Sequence, residues 1–373
     1  MIDGKPIICF FGDAAARHLW RWTRYFAQQG YQVHVVTLNG ELVDDYGPVK
    51  VHVIKKTVNA AGPVARLANI VPAFFAAKMI LRKVRPDIIH GQDLGGNSWL
   101  AALCGFHPLI VTPWGSDVLI HAKADRVARM MTGFALRRAD LVVCDGENTK
   151  EAVKNFGIPE EKIKLFTFGV DIDKFKPPAG DAARGKAVVS TRFLTPVHDV
   201  ETLVRAAAIV IRKVPEAKFV LVGDGEQKGY LQKLATDLGI AGNIEFSGRV
   251  SEARMVSCLQ TADIYVSTSL SESGLAASTA EAMACELPVI NTDSGDIRLW
   301  IKDGEGGFVI PLKDYELLAE KILYLFDNDA ARAAFGKINR AVIWEKNNYY
   351  KEMAGIDAIY RRMIGNKNHG HEQ

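Results

Sequence analysis

The sequence lacks most of the signatures that commit a chain to a common chemistry. Five cysteines, Cys9, Cys104, Cys144, Cys258 and Cys285, are scattered through 373 residues without a CxxC pair. An odd number in apolar contexts argues against a disulfide framework and for reduced, buried thiols in a cytosolic setting. The longest nearly apolar run, LANIVPAFFAA over 67–77, is too short to cross a bilayer and contains a proline. No basic-then-apolar leader opens the sequence, so secretion is not expected. Walker, HExxH and GxSxG patterns do not occur, which leaves nucleotide hydrolysis, zinc proteolysis and serine esterase chemistry without support. The histidines of the terminal NKNHGHEQ give no metal spacing, and no metal is expected.

What is present is an ordinary globular composition, 48% hydrophobic and 24% charged, in a chain long enough for two domains. Charge is uneven. Residues 1–85 hold twelve Lys/Arg against five Asp/Glu, whereas the whole chain nets only +3. A basic first segment suits anionic partners such as phosphates or an acidic membrane surface, and a solvated basic face explains it equally well. No nucleic-acid partner is expected.

Hydrophobic patterning alternates. KPIICFFGD (5–13) reads as a strand, ARHLWRWTRYFAQQG (16–30) as a helix stopped by Gly30, and YQVHVVTLN (31–39) as a strand. RPDIIHGQD, HPLIVTPWGSD, ADLVVCDG and EKIKLFTFG continue as short buried strands. VDIDKFKPPAGDAARG (170–185) breaks the rhythm with prolines, glycines and charges, which marks a linker. The pattern then restarts through AKFVLVGDG, NIEFSG, ADIYVSTS, LPVINTD and GGFVIP, with helices near 199–213, 226–238, 276–285 and 314–327. The expected fold is α/β: two doubly wound, Rossmann-like parallel sheets facing across a cleft, with ligands at the carboxyl ends of the strands. The expected boundaries are 1–170, a linker at 171–186, 187–345, a helix at 346–364 returning toward the first domain, and a disordered tail at 365–373.

Candidate chemistry gathers at strand ends. SLSESGLAASTAEAMACELPVI (269–290) places Glu272 and Glu281 on either side of small residues that lead into a helix. Small residues there let backbone N–H groups and the helix dipole approach a phosphate, and Glu281 could accept from ribose hydroxyls or merely complement the dipole. Arg192 ends a strand in STRFLTPVHD, with His198 six residues on; a cation there could hold a diphosphate or lie on the surface. Trp114 and Asp117 in TPWGSD could stack on a sugar and act as base, or belong to the core. His90 and Asp93 follow another strand end. Gly223, Gly225 and Gly229 in FVLVGDGEQKG form a loose dinucleotide fingerprint, which keeps an NAD(P)-dependent oxidoreductase open as an alternative. A catalytically silent nucleotide-sugar binding protein is a second alternative.

Together, PDIIHGQD, TPWGSD, GVDIDKFKP, STRFLTPVHDVETLVRA, LVGDG, IEFSGRV, ADIYVSTSLSES and AEAMACELPVI, with Gly12 in the first loop, resemble the family-4 retaining glycosyltransferases of the GT-B fold over nearly the whole chain. The resemblance implies transfer of a sugar from a UDP- or GDP-linked donor to an acceptor hydroxyl, in a glycolipid, lipid-linked saccharide or polysaccharide precursor. It implies retention at the anomeric carbon, without cofactor or metal, in the cytoplasm or at the inner membrane face. By that resemblance Glu281 binds donor ribose, Arg192 binds the phosphates, and Gly248, Arg249 and Val250 line the base pocket. Gly12, His198, Gly223, Gly274, Leu275 and Ala276 complete the donor set. Arg192, Glu272, Ser273 and Asp117 are expected at the chemistry, and Trp114, His90 and Asp93 at the acceptor or sugar. The chain departs from the family at three points. The first acid of the paired motif falls in register with Ser273 rather than Glu272, His198 stands near the missing lysine, and Trp114 replaces a histidine.

The segment VARLANIVPAFFAAKMILRKVR (64–85), with Arg66, Lys78, Arg82, Lys83 and Arg85, suits docking on an anionic bilayer and equally suits packing of an amphipathic helix.

Overall fold

A computed structural model describes residues 5–42, 44–55, 63–124, 126–180 and 185–370, with side chains described from 69 onward in the helix beginning at Pro63 and to 366 in the last helix. Arg66 and the end of the tail therefore lie outside the described side chains. The chain divides into two compact units, residues 1–167 with 352–373, and residues 168–351.

In the first unit the apolar runs pair as seven strands: β1 (Ile7–Phe11), β2 (Gln32–Thr37), β3 (Lys50–Val53), β4 (Ile88–Gln92), β5 (Leu109–Thr112), β6 (Leu141–Cys144) and β7 (Ile163–Leu165). Their order is β3-β2-β1-β4-β5-β6-β7, parallel throughout. Ile8, Cys9, Phe10 and Phe11 are all fully buried, as expected for a central strand covered on both faces. Helix Arg17–Gln28 docks through Leu19, Trp22 and Phe26, a helical stripe with each side chain worth about 1.5–3 kcal/mol of burial.

The second unit repeats the plan with β8 (Ala187–Ser190), β9 (Lys218–Val222), β10 (Ile244–Gly248), β11 (Ile264–Ser267), β12 (Val289–Thr292), β13 (Lys302–Asp303) and β14 (Gly306–Ile310). The order is β10-β9-β8-β11-β12-β14-β13. Helix Val200–Lys213 buries Leu203, Val204, Ala207 and Val210 and carries Arg212 and Lys213 at its carboxyl end, where cations suit the dipole. In each sheet the chain leaves the first strand to one side and later returns to the other. The resulting switch points, β1/β4 and β8/β11, are where α/β sheets bind ligands.

The segment expected as a linker begins inside the second unit. Val170, Ile172 and Phe175 are buried in its core, because these three apolar side chains precede the prolines. The last helical stretch is two helices, Asp329–Lys346 and Tyr349–Gly370, so residues 365–370 of the expected tail are helical. Trp344 and Tyr350 are exposed, whereas Met353, Ile356 and Tyr360 are fully buried. Tyr360 stacks on Phe26, 4.6 Å between ring centroids and 4° from parallel.

Candidate active site

In the second unit the loops after successive strands are tied to one another. Arg192, just past β8, donates from Nη1 to Ser278 Oγ at 2.8 Å and from Nη2 to the carboxylate of Glu272 in the loop after β11. The pair bridges the β8/β11 switch point, and both side chains are largely buried, 10% and 14% exposed. Arg192 Nε is buried without a partner. Leu270 donates its N–H to Val197 O at 2.8 Å, and Thr268 Oγ1 donates to His198 O at 3.1 Å, binding the β11 loop to the β8 loop. His198 Nδ1 lies 2.8 Å from Thr195 Oγ1. Burial, and then the nearby Arg192 charge, lower its pKa to about 4, so it is neutral at physiological pH.

The segment Ser273-Gly274-Leu275-Ala276 leads directly into helix Ala277–Ala284, whose amino end has no side-chain cap. Gly274 has φ +56, and its carbonyl accepts from Asp296 N–H at 3.0 Å. Ala276 is buried and Leu275 packs on the core, so both support the loop from beneath. Ser273 is half-buried beside Glu272. Glu281 lies in the second turn of the helix and is half-buried. Gly248 ends β10 with φ +66, followed by exposed Arg249 and by Val250, which packs on the core. Asp293, after β12, holds Arg298 bidentately at 2.8–3.0 Å.

The glycines of the loose dinucleotide motif have a local explanation. A Cβ at Gly223 would stand 2.2 Å from Arg192 O, and one at Gly225 would stand 2.3 Å from Leu194 O. Both are small so that the β9 loop can cross the β8 loop, where Leu194 N–H donates to Asp224 O at 3.1 Å. Gly229 lies within helix Lys228–Asp237 with open space around it. Gly223 and Gly225 let the β9 loop pack on the loop that carries Arg192 and Leu194, Gly229 touches neither, and the oxidoreductase alternative loses its motif.

In the first unit a cavity of about 620 Å³ opens at the ends of β1, β2, β4 and β5. Asp13, Asn39, Asp93, Asn97, Trp114 and Asp117 are among its lining residues. Asp93 has φ +65 and accepts from Gly95 N–H at 2.7 Å and from Asn97 Nδ2 at 2.8 Å. Burial is the main cause that raises its pKa to about 7, with Asp117 and Asp13 adding repulsion. Asp117 is engaged differently. Its Oδ2 accepts from Leu94 N–H (2.7 Å) and Trp114 N–H (3.0 Å), and its Oδ1 accepts from Val118 N–H (2.9 Å). It anchors the loop, and burial raises its pKa. Trp114 is half-buried, with His18 edge-on at 6.2 Å.

Two residues fall elsewhere than the sequence implies. His90 does not reach the cavity: it is fully buried between Phe10 and Trp22, with Nδ1 on the Tyr360 hydroxyl and Nε2 2.7 Å from Thr112 Oγ1. That desolvation lowers its pKa to about 3, and a sugar contact is withdrawn. Gly12 leaves room for Leu19, 2.9 Å from where its Cβ would be, and its neighbour Asp13 takes the cavity wall. Asp13, Asn39 and Asn97 escaped sequence reading. Their one signal is position: Asp13 and Asn39 stand just past a strand, and Asn97 stands in the first turn of the helix after β4, Gly96–Leu103.

Two Rossmann-like units, each with polar groups at its switch point, define a doubly wound ligand-binding scaffold, and comparison with known proteins narrows the class. Residues 171–342 match the family described as Glycosyl transferases group 1, and residues 7–146 match Glycosyl transferase 4-like. The chain belongs to the group 1 glycosyltransferases of the GT-B fold. It is 30% identical over 190 residues to the GDP-mannose-dependent monoacylated alpha-(1-6)-phosphatidylinositol monomannoside mannosyltransferase of Corynebacterium glutamicum, covering 46% of this chain and 49% of the relative. It is 30% identical over 203 residues to the lipopolysaccharide core biosynthesis glycosyltransferase LpsE of Rhizobium meliloti, covering 52% and 56%. The chain thus spans about half the length of these relatives. Its fold is similar to that of sucrose-phosphate synthase from Thermosynechococcus elongatus, with a TM-score of 0.81 at 19% identity, covering 97% of this chain and 100% of that one. The Anabaena protein HepE in complex with UDP-glucose is as similar, with a TM-score of 0.81 at 19% identity, covering 95% and 99%.

Proposed function

We propose that this chain is a retaining glycosyltransferase that moves a sugar from a nucleoside-diphosphate donor to an acceptor hydroxyl. The observation that carries this reading is the buried Arg192 beside Ser278 and the uncapped helix start at Ala277, at the β8/β11 switch point. Cationic and N–H donors converging there take up the charge that develops on a departing diphosphate. Glu281, one turn into the helix, is assigned to ribose hydroxyls, and Gly248, Arg249 and Val250 to the base. By family resemblance the diphosphate oxygen accepts the acceptor proton, so no protein nucleophile and no metal are assigned. Structural relatives in complex with UDP and UDP-glucose support a UDP-linked donor, and the GDP-mannose-dependent relative supports a GDP-linked one.

The acceptor is assigned to the first-unit cavity, where Asp93, Asn39 and Asn97 suit a polyol and Trp114 suits a sugar face. Helix Pro63–Val84 presents Val71, Phe75 and Met79 to solvent at four-residue spacing, with Arg82 and Lys83 also exposed. That combination supports a lipid-linked acceptor met at an anionic bilayer. Among the described residues no helix is long and apolar enough to cross one.

A thermal-shift panel of UDP-, GDP- and ADP-sugars identifies the donor, and nucleotide release with that donor then gives activity. Arg192→Ala is expected to lower kcat/KM by about 10²–10³, with Arg192→Lys intermediate. Unchanged turnover in both variants removes Arg192 from the phosphates and the reading with it.

A further inference from the structure

We propose that Glu272 is the resident anion of the diphosphate subsite, occupying Arg192 until a donor arrives and displacing the product afterwards. The inference rests on the assignment of Arg192 to the donor phosphates. Carboxylate and phosphate both fit the guanidinium fork, so two anions compete for one cation. Glu272 takes Nη2, Ser278 takes Nη1, and Nε is left buried and unmatched, so the fork is held with capacity in reserve. His198, where the family would place a second cation, is uncharged at physiological pH. Arg192 and Glu272 therefore cancel, and a diphosphate meets no surplus charge from these three side chains until the pair opens.

The loop is built so that the side chain is the movable part. Leu270 is fixed to Val197, and Gly274 is fixed to Asp296, so the backbone on either side of Glu272 is held. Gly295 stands beside it, where a Cβ would come within 2.8 Å of Glu272 Cβ. Rotation of the Glu272 side chain away from Arg192 breaks neither backbone anchor. Donor binding is then an anion exchange. Return of the carboxylate to Arg192 competes with the nucleoside diphosphate product, which speeds its release.

The test is calorimetry of the full chain with inorganic pyrophosphate at one fixed pH near neutrality and constant salt. Glu272→Gln, which keeps a hydrogen-bond acceptor without charge, is expected to bind pyrophosphate about tenfold more tightly than the native protein. Glu272→Asp, which keeps the charge, is expected to remain close to native, a distinction a purely structural role would not make. Glu272→Ser serves as the neutral variant if the glutamine form does not fold. Arg192→Ala is measured in parallel. If Arg192→Ala abolishes pyrophosphate binding and the neutral variants gain nothing, this inference fails and the phosphate assignment stands. If Arg192→Ala leaves binding unchanged, the phosphate assignment itself fails.

Discussion

Asp93 and Asp117 are carboxyls from neighbouring strand-end loops, and their partners give them different work. Asp117 receives three backbone N–H groups, so removing its carboxylate strands the donors that shape the 94–118 turn. Asp117→Ala is expected to cost about 2–4 kcal/mol, read from the denaturant midpoint, with activity falling because the loop is lost. A base role would instead abolish turnover at unchanged stability. Asp93 accepts from one backbone N–H, that of Gly95, and from the Asn97 side-chain amide, and its pKa is raised to about 7. Its folded value lies above the usual carboxyl value, so the folded state holds an extra proton between about pH 4 and pH 7. Stability from this group is therefore full below that window and declines as pH rises through it. Asp93→Asn is expected to remove this slope and to gain roughly 2–4 kcal/mol at pH 8 relative to native. The Asn97 amide must turn to offer oxygen to the new amide, and equal pH slopes in both proteins would refute the assignment.

Strand-end loops are the elements that make the candidate site, and their fit depends on a few glycines. Gly225→Ala forces a Cβ against Leu194 O and is expected to cost about 2–4 kcal/mol while weakening donor binding through Arg192. Gly229→Ala, in open space within a helix, is expected to be neutral or to stabilise by up to about 1 kcal/mol. Thermal melts of the two variants separate a packing role from a cofactor fingerprint, which would make both positions intolerant. At this scale the sequence was readable wherever β-branched runs ended in Gly, Asp or Ser. The helix expected near 276–285 is Ala277–Ala284, and the one near 199–213 is Val200–Lys213. β3 was not readable, because KVHV is four residues with two polar side chains. The Glu272–Arg192 pair was not readable either. It joins residues 80 apart, and family register pointed to Ser273 instead.

Across the whole molecule, most of what escaped the sequence involves the last helix. His90 looks like a strand-end ligand until Tyr360, 270 residues later, occupies its Nδ1. Likewise Tyr31 finds Asp357, a pairing no local pattern carries. The helix expected at 346–364 starts at Tyr349 instead, although nothing between 346 and 349 is proline or glycine. The preceding helix ends at Lys346, and Asn347 O accepts from Val170 N–H at 2.8 Å. Truncation after residue 351 removes Met353, Ile356, Tyr360 and Ile364, each at most 1% exposed. At about 1.5–3 kcal/mol apiece the loss approaches the entire stability of a typical domain. The truncated chain is expected to lose the folded first unit while residues 168–351 keep theirs, which limited proteolysis would reveal as one protected fragment. Survival of both units would show that the helix is dispensable.

The order in which a ribosome delivers these pieces now has a meaning. The second unit is one uninterrupted stretch, 168–351, and every residue it needs has been made before residue 352. The first unit is begun first and finished last, since its sheet waits for the segment that carries Tyr360. During synthesis the second unit is therefore the earlier one to close, and the first unit is the one left with an uncovered apolar surface for chaperones to meet.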